Sequence, residues 1–245
     1  MAFYYLITYI VFTFAMAVIL GSVFAFASAD RISQRAALVS AAAGISIAYI
    51  FVDLLPELAE SQSAFLAAHP SRHLLFPEAR VYIAALIGYL LFFGIRLKLN
   101  TGGDSPHSLL YRLDIIGYSA YVFVITYLMV HRPGGRIIPL LLYTTAMTFH
   151  FLVINYAMER EYLRRYRSRG RWILSIMVLL GWLVGVSARV SPSVLTTMLG
   201  LVAGGVIINS AGSEMPRDPN AFRYMALGSV IYAVILLIST RLDTF

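Results

Sequence analysis

The chain has 245 residues, of which 60% are hydrophobic and only 13% charged, and its mean hydropathy is +0.78. These values lie outside globular usage and exclude an ordinary water-soluble domain. The net charge of +7 would suggest nucleic acid in a soluble protein. Here Arg and Lys sit in short connections between apolar runs, so the expected partners are the lipid bilayer and its anionic headgroups, not nucleic acid. Cysteine is absent, which excludes disulfides and thiolate metal sites.

Eight apolar segments follow one another. Each is predicted as a transmembrane helix, since a span needs roughly 20 apolar residues and terminal Arg or Lys can snorkel. The first covers residues 2–29. Its Ala27-Ser28-Ala29 resembles a cleavage site, but the segment carries no positive charge and its apolar run is too long for a signal peptide, so a retained helix is expected. The second, residues 36–57, places Ser46, Tyr49, Asp53 and Glu57 at helical spacing on one face, and Pro56 is expected to end or kink it. Its two carboxylates point either to a cation-attracting outer mouth or to a plain interfacial helix end. The connection of residues 58–80 holds His69 and His73, a spacing that binds metal on a helix but is interrupted here by Pro70.

The third span covers residues 80–98 and the fourth residues 113–130, where Asp114, Tyr118 and Tyr121 form a stripe. Asp114 lies near the helix end and is expected to pair with Arg112 or another loop arginine. The fifth, residues 137–158, carries His150 well inside, with Thr148 and Asn155 nearby. A lone membrane histidine is either a hydrogen-bonded packing residue or a metal ligand needing two or three partners. The sixth and seventh, residues 172–188 and 190–213, are separated only around Arg189 and Pro192. Gly200, Gly204 and Gly205 suit the seventh for close packing, and Asn209, Ser213 and Glu214 mark a polar exit at its end. The eighth covers residues 224–240.

The basic residues alternate between the two sides. Arg31, Arg35, Arg96, Lys98, Arg112, Arg160, Arg164, Arg165, Arg167, Arg169, Arg171, Arg217 and Arg223 fall on one side, against Arg72, Arg80, Arg132, Arg136, Arg189 and Arg241 on the other, 13 against 6. Because cytoplasmic loops retain Lys and Arg, both termini are expected on the non-cytoplasmic side of a plasma or bacterial-type inner membrane. Arg164, Arg165, Arg167, Arg169 and Arg171 are then candidates for lipid-headgroup contacts.

This pattern resembles the ZIP family of divalent metal transporters. Residues 42–60, AAGISIAYIFVDLLPELAE, are similar to the family's second helix with its closing phrase Leu54-Leu55-Pro56-Glu57, and residues 204–216, GGVIINSAGSEMP, stand where its seventh helix falls. The resemblance implies an all-α polytopic fold of eight spans in a 3+2+3 arrangement. In that arrangement the first and last three spans are inverted repeats, metal binds on helices 4 and 5, and a divalent cation such as zinc is the cargo. The metal-binding phrases themselves depart from the family. Tyr121-Val122-Phe123-Val124-Ile125-Thr126 replaces the helix 4 phrase, and in the helix 5 phrase, His150-Phe151-Leu152-Val153-Ile154-Asn155, only the histidine survives.

Two functions follow as expectations. The first is a transporter with an altered or lost metal site, whose path runs from Asp53 and Glu57 past Tyr121, His150 and Asn155 to Asn209, Ser213 and Glu214. The second is a non-transporting structural or regulatory subunit of a membrane complex; the expected protein partner is a second copy in a homodimer or another member of such a complex. An enzyme is not expected, because neither a nucleophile–base pair nor an HExxH motif stands out.

Overall fold

The structure, a computed structural model, describes residues 2–22, 32–68, 77–101, 107–131, 137–212 and 219–242. Nearly all of these are helical, and no strand occurs among them. The α-helices are α1 (Ala2–Ser22), α2 (Ile32–Tyr49), α3 (Leu55–Ala68), α4 (Arg80–Thr101), α5 (His107–Val130), α6 (Ile137–Arg165), α7 (Arg171–Ser187), α8 (Pro192–Gly212) and α9 (Pro219–Leu242). Two π turns, Ile50–Leu54 and Tyr166–Gly170, join α2 to α3 and α6 to α7 without a loop. The described residues therefore form seven uninterrupted helical stretches, where the sequence predicts eight spans.

Proline chemistry explains the first π turn. Pro56 has no N–H to give the carbonyl of Val52, so the preceding turn widens and the Leu55 N–H bonds the Ile50 carbonyl instead. The helix continues through Pro56 to Ala68 rather than ending at residue 57. The chain runs on from α6 to α7 through the second π turn, but it changes direction just before that turn, at Leu163, whose dihedrals (φ 5°, ψ −81°) are not helical. The contacts with α5 demonstrate the reversal. Along α6, Tyr143, His150 and Tyr162 meet Ile125, Tyr121 and Asp114, so the two helices run antiparallel. From the π turn along α7, Gly170, Gly181 and Gly185 meet Ile115, Phe123 and Val130, so α7 runs parallel to α5.

Among the described residues, five helical stretches are long and apolar enough to cross a membrane: Ala37–Ala67, Leu109–Val130, Ile137–Ser187, Pro192–Ser210 and Ala221–Arg241; Arg80–Ile95 is apolar but shorter. The last of the five has only 17% of its most apolar window buried. Its outward face carries Leu227, Val230, Ile231, Val234 and Ile238, all exposed, and α4 likewise presents Leu86, Ile87, Leu90 and Leu91. Apolar patches of this size are foreign to a protein surrounded by water and natural to one surrounded by lipid.

Lipid tails are as apolar as Leu, so close packing and polar contacts hold such helices together. The most extensive pairings are α2 with α9, α4 with α8, and α5 with α7, with α1 lying against α6 and α7. The first two pairs meet backbone to backbone. A Cβ added at Gly44 would fall 2.0 Å from the Met225 carbonyl oxygen, one at Gly228 2.4 Å from that of Ala41, one at Gly88 2.1 Å from that of Leu201, and one at Gly204 1.9 Å from that of Ala85. The short α7–α8 corner is tied by Tyr127, whose hydroxyl donates to the Ala188 carbonyl and accepts from the Val190 N–H, both over 3.1 Å.

Candidate functional site

Polar groups converge along one seam, where α5, α6 and α8 meet. At its middle lies His150, with 0% exposure. Its Nε2 is 2.9 Å from the Tyr121 hydroxyl, and its Nδ1 is 3.4 Å from the Ser210 hydroxyl. Hydroxyls donate and accept, so this setting satisfies the imidazole in either neutral tautomer. The Tyr121 ring meets Phe92 edge-on at 5.0 Å, and it fits against α8 because a Cβ at Gly205 would fall 2.7 Å from its Cε2. One turn nearer the α5 N-terminus, the Tyr118 hydroxyl donates to Asn209 Oδ1 over 3.1 Å. The structure thus brings together four residues that the sequence left on three separate helices: Tyr121, His150, Asn209 and the neighbouring Ser210.

Asn155 is buried as well, but five residues place it roughly 140° around the helix from His150. Ser213, Glu214, His69 and His73 lie outside the described residues. Among the described residues, no three His, Asp or Glu side chains are placed to share a metal ion. An imidazole between two hydroxyls does not supply the donor set that a divalent transition metal selects.

Below this seam, where α5 begins and α6 ends, lies a second polar cluster. Asp114, 2% exposed, accepts a hydrogen bond from the Tyr162 hydroxyl over 2.6 Å, and the Tyr111 ring meets Tyr162 edge-on at 5.1 Å. The sequence anticipates a loop arginine as the partner of Asp114; the structure adds a buried tyrosine from a helix 48 residues away. Glu159, 5% exposed, bonds Arg167, which reaches it from the surface. A carboxylate this deep depends on its donors, so Tyr162→Phe is expected to destabilise the protein by about 1.5–3 kcal/mol, readable as a lowered Tm in detergent. Of the other basic residues between α6 and α7, Arg164, Arg165 and Arg169 are exposed, while Arg171 is half-buried with its guanidinium 5.2 Å from the Trp172 ring centroid.

At the opposite end, the same three helices and α3 enclose a cavity of about 260 Å³. Glu57 and Glu60 stand on its α3 wall, His131 closes the end of α5, and Leu195 and Leu199 come from α8. Tyr143, two turns before His150 on α6, also lines it. Burial shifts across the π turn from Ser46 and Tyr49 to Leu54 and Leu58, which leaves Asp53 and Glu57 half-buried at the edge of the stripe instead of continuing it. Glu57 lines this cavity, whereas Asp53 belongs to the π turn one helical turn earlier. Glu60 and His131 were missed because each falls in what reads as a connecting loop. No family model, curated protein or solved structure matches the chain.

Proposed function

We propose that the chain is a ZIP-like membrane carrier for cations that works without the family's metal-binding phrases. The observation that carries this is the acid-lined cavity of Glu57 and Glu60, which heads the seam holding Tyr121, His150 and Asn209. Carboxylates at an entrance raise the local cation concentration, and a polar seam beneath gives a desolvated ion partners.

Two features support the 3+2+3 arrangement. The reversal at Leu163 is compatible with counting α6 and α7 as two passes, as an eight-pass arrangement requires. An inverted two-fold relation between the first three and last three passes exchanges the α2–α9 pair with the α4–α8 pair, and both pairs are parallel and joined through glycine. On this topology the cavity opens away from the cytoplasm, and Arg164, Arg165 and Arg169 meet anionic headgroups on the cytoplasmic side.

Uptake into proteoliposomes tests the proposal, with zinc, manganese and small organic ammonium ions as the offered cations. Wild-type protein is expected to carry at least one, and the Glu57→Gln/Glu60→Gln double variant to carry it about tenfold more slowly, in keeping with electrostatic enrichment. Absence of flux in every arm, with correctly folded protein, would defeat the carrier assignment. A second function, as a non-transporting subunit of a membrane complex, is favoured by the complete burial of His150 between two hydroxyls. A partner retained through purification in mild detergent, together with no flux, would establish it.

A further inference from the structure

We infer that the cavity at the head of the seam binds a compact primary ammonium ion with a small apolar body, not a bare divalent metal; this deepens the carrier assignment and rests on it. Size is the first ground. At about 260 Å³ the cavity is far larger than the space a single water needs, and larger than a bare ion fills. A metal ion needs ligands converging at roughly 2–2.6 Å, and no three His, Asp or Glu side chains among the described residues are so placed.

Wall chemistry is the second ground. Leu128, Leu195 and Leu199 give the cavity an apolar side that a hydrated metal ion leaves unused and an alkyl body covers. Glu57 and Glu60, three residues apart on α3, supply negative charge from adjacent positions on one helix face.

The third ground is the orientation of His131. Its Nδ1 is 3.0 Å from the Tyr127 carbonyl oxygen, which only accepts, so Nδ1 carries a proton. The ring is held by stacking on Tyr127 at 4.4 Å between centroids. In its neutral form the imidazole therefore offers Nε2 as an acceptor. An ammonium head donates through separate N–H groups and can bond a carboxylate or a neutral imidazole one at a time, so it does not require three ligands to converge on one point.

Thermal shift and isothermal titration on the purified full-length protein provide the test, with n-butylammonium chloride, tetramethylammonium chloride and zinc chloride as probes. n-Butylammonium is expected to raise the Tm and to bind at least tenfold more tightly than tetramethylammonium, which lacks N–H donors. Binding is expected to fall at least tenfold in Glu57→Gln/Glu60→Gln and to be lost in His131→Arg, which fixes a cation in the cavity. If these variants fold poorly, the order of the three probes on wild-type protein still decides the matter. Zinc binding that depends on Glu57 and Glu60, with no response to n-butylammonium, overturns the inference and leaves the carrier assignment standing. Failure of n-butylammonium to bind while proteoliposomes carry another cation overturns the inference alone, and failure of both binding and all flux overturns the two together.

Discussion

Gly204→Ala is expected to cost about 3 kcal/mol or more, the upper range for overpacking, and to lower the Tm measured by fluorescence-detected size exclusion after heating. The added methyl would sit 1.9 Å from the Ala85 carbonyl oxygen and 2.5 Å from the Tyr89 nitrogen. Both are backbone atoms of α4, so no side chain can swing aside, and the two helices must separate. Gly94→Ala, on the same α4, is the matched control. A Cβ there meets nothing within 4 Å, so the change is expected to be neutral or to stabilise by up to about 1 kcal/mol through helix propensity. Equal Tm values for the two variants would mean that α4 and α8 do not meet backbone to backbone.

His150→Ala is expected to cost about 3–5 kcal/mol. Part is the cavity left where the residue has 0% exposure, and part is the loss of the hydrogen bonds to the Tyr121 and Ser210 hydroxyls, where a buried group left without a partner costs about 1–3 kcal/mol. Tyr121→Phe in the same background is expected to cost less than it does alone, because the partner it abandons is already gone. A chelator is expected to leave the wild-type Tm unchanged. Strictly additive losses would mean that His150 and Tyr121 do not bond each other, and a chelator effect abolished by His150→Ala would replace the hydroxyl-bonded histidine with a metal-bound one.

Much of the fold was legible because it depends on neighbours in sequence. Apolar runs such as residues 221–241 declare themselves without knowledge of their partners. The limits of this reading are visible at α3 and α6. Glu60, Ser61 and Gln62 look like a loop, yet the helix continues to Ala68, and the Gln62 side chain accepts from the Val81 N–H over 3.0 Å at the start of α4. Arg164 to Arg169 look like a loop too, yet they belong to the end of α6 and a π turn.

The site was legible in part for the same reason. His150 stands out because an ionisable group in an apolar run is rare, and Tyr121 stands out with Tyr118 and Asp114 as a stripe. Which groups meet is a property of helix pairing. Nothing local to Asp114 names Tyr162, and nothing local to His131 shows that it shares a cavity with Glu57 and Glu60. Glu159 was hidden by its arginine neighbours, which made a buried carboxylate look like loop charge.

The loopless elbow between α6 and α7 has a mechanical meaning. A flexible linker would absorb a displacement of either helix, but a turn without slack passes it on as rotation. The arginines that project from this elbow, Arg164, Arg165, Arg167 and Arg169, include the one that grips Glu159. A pull on Arg167 is therefore passed through Glu159 to the helix that carries His150.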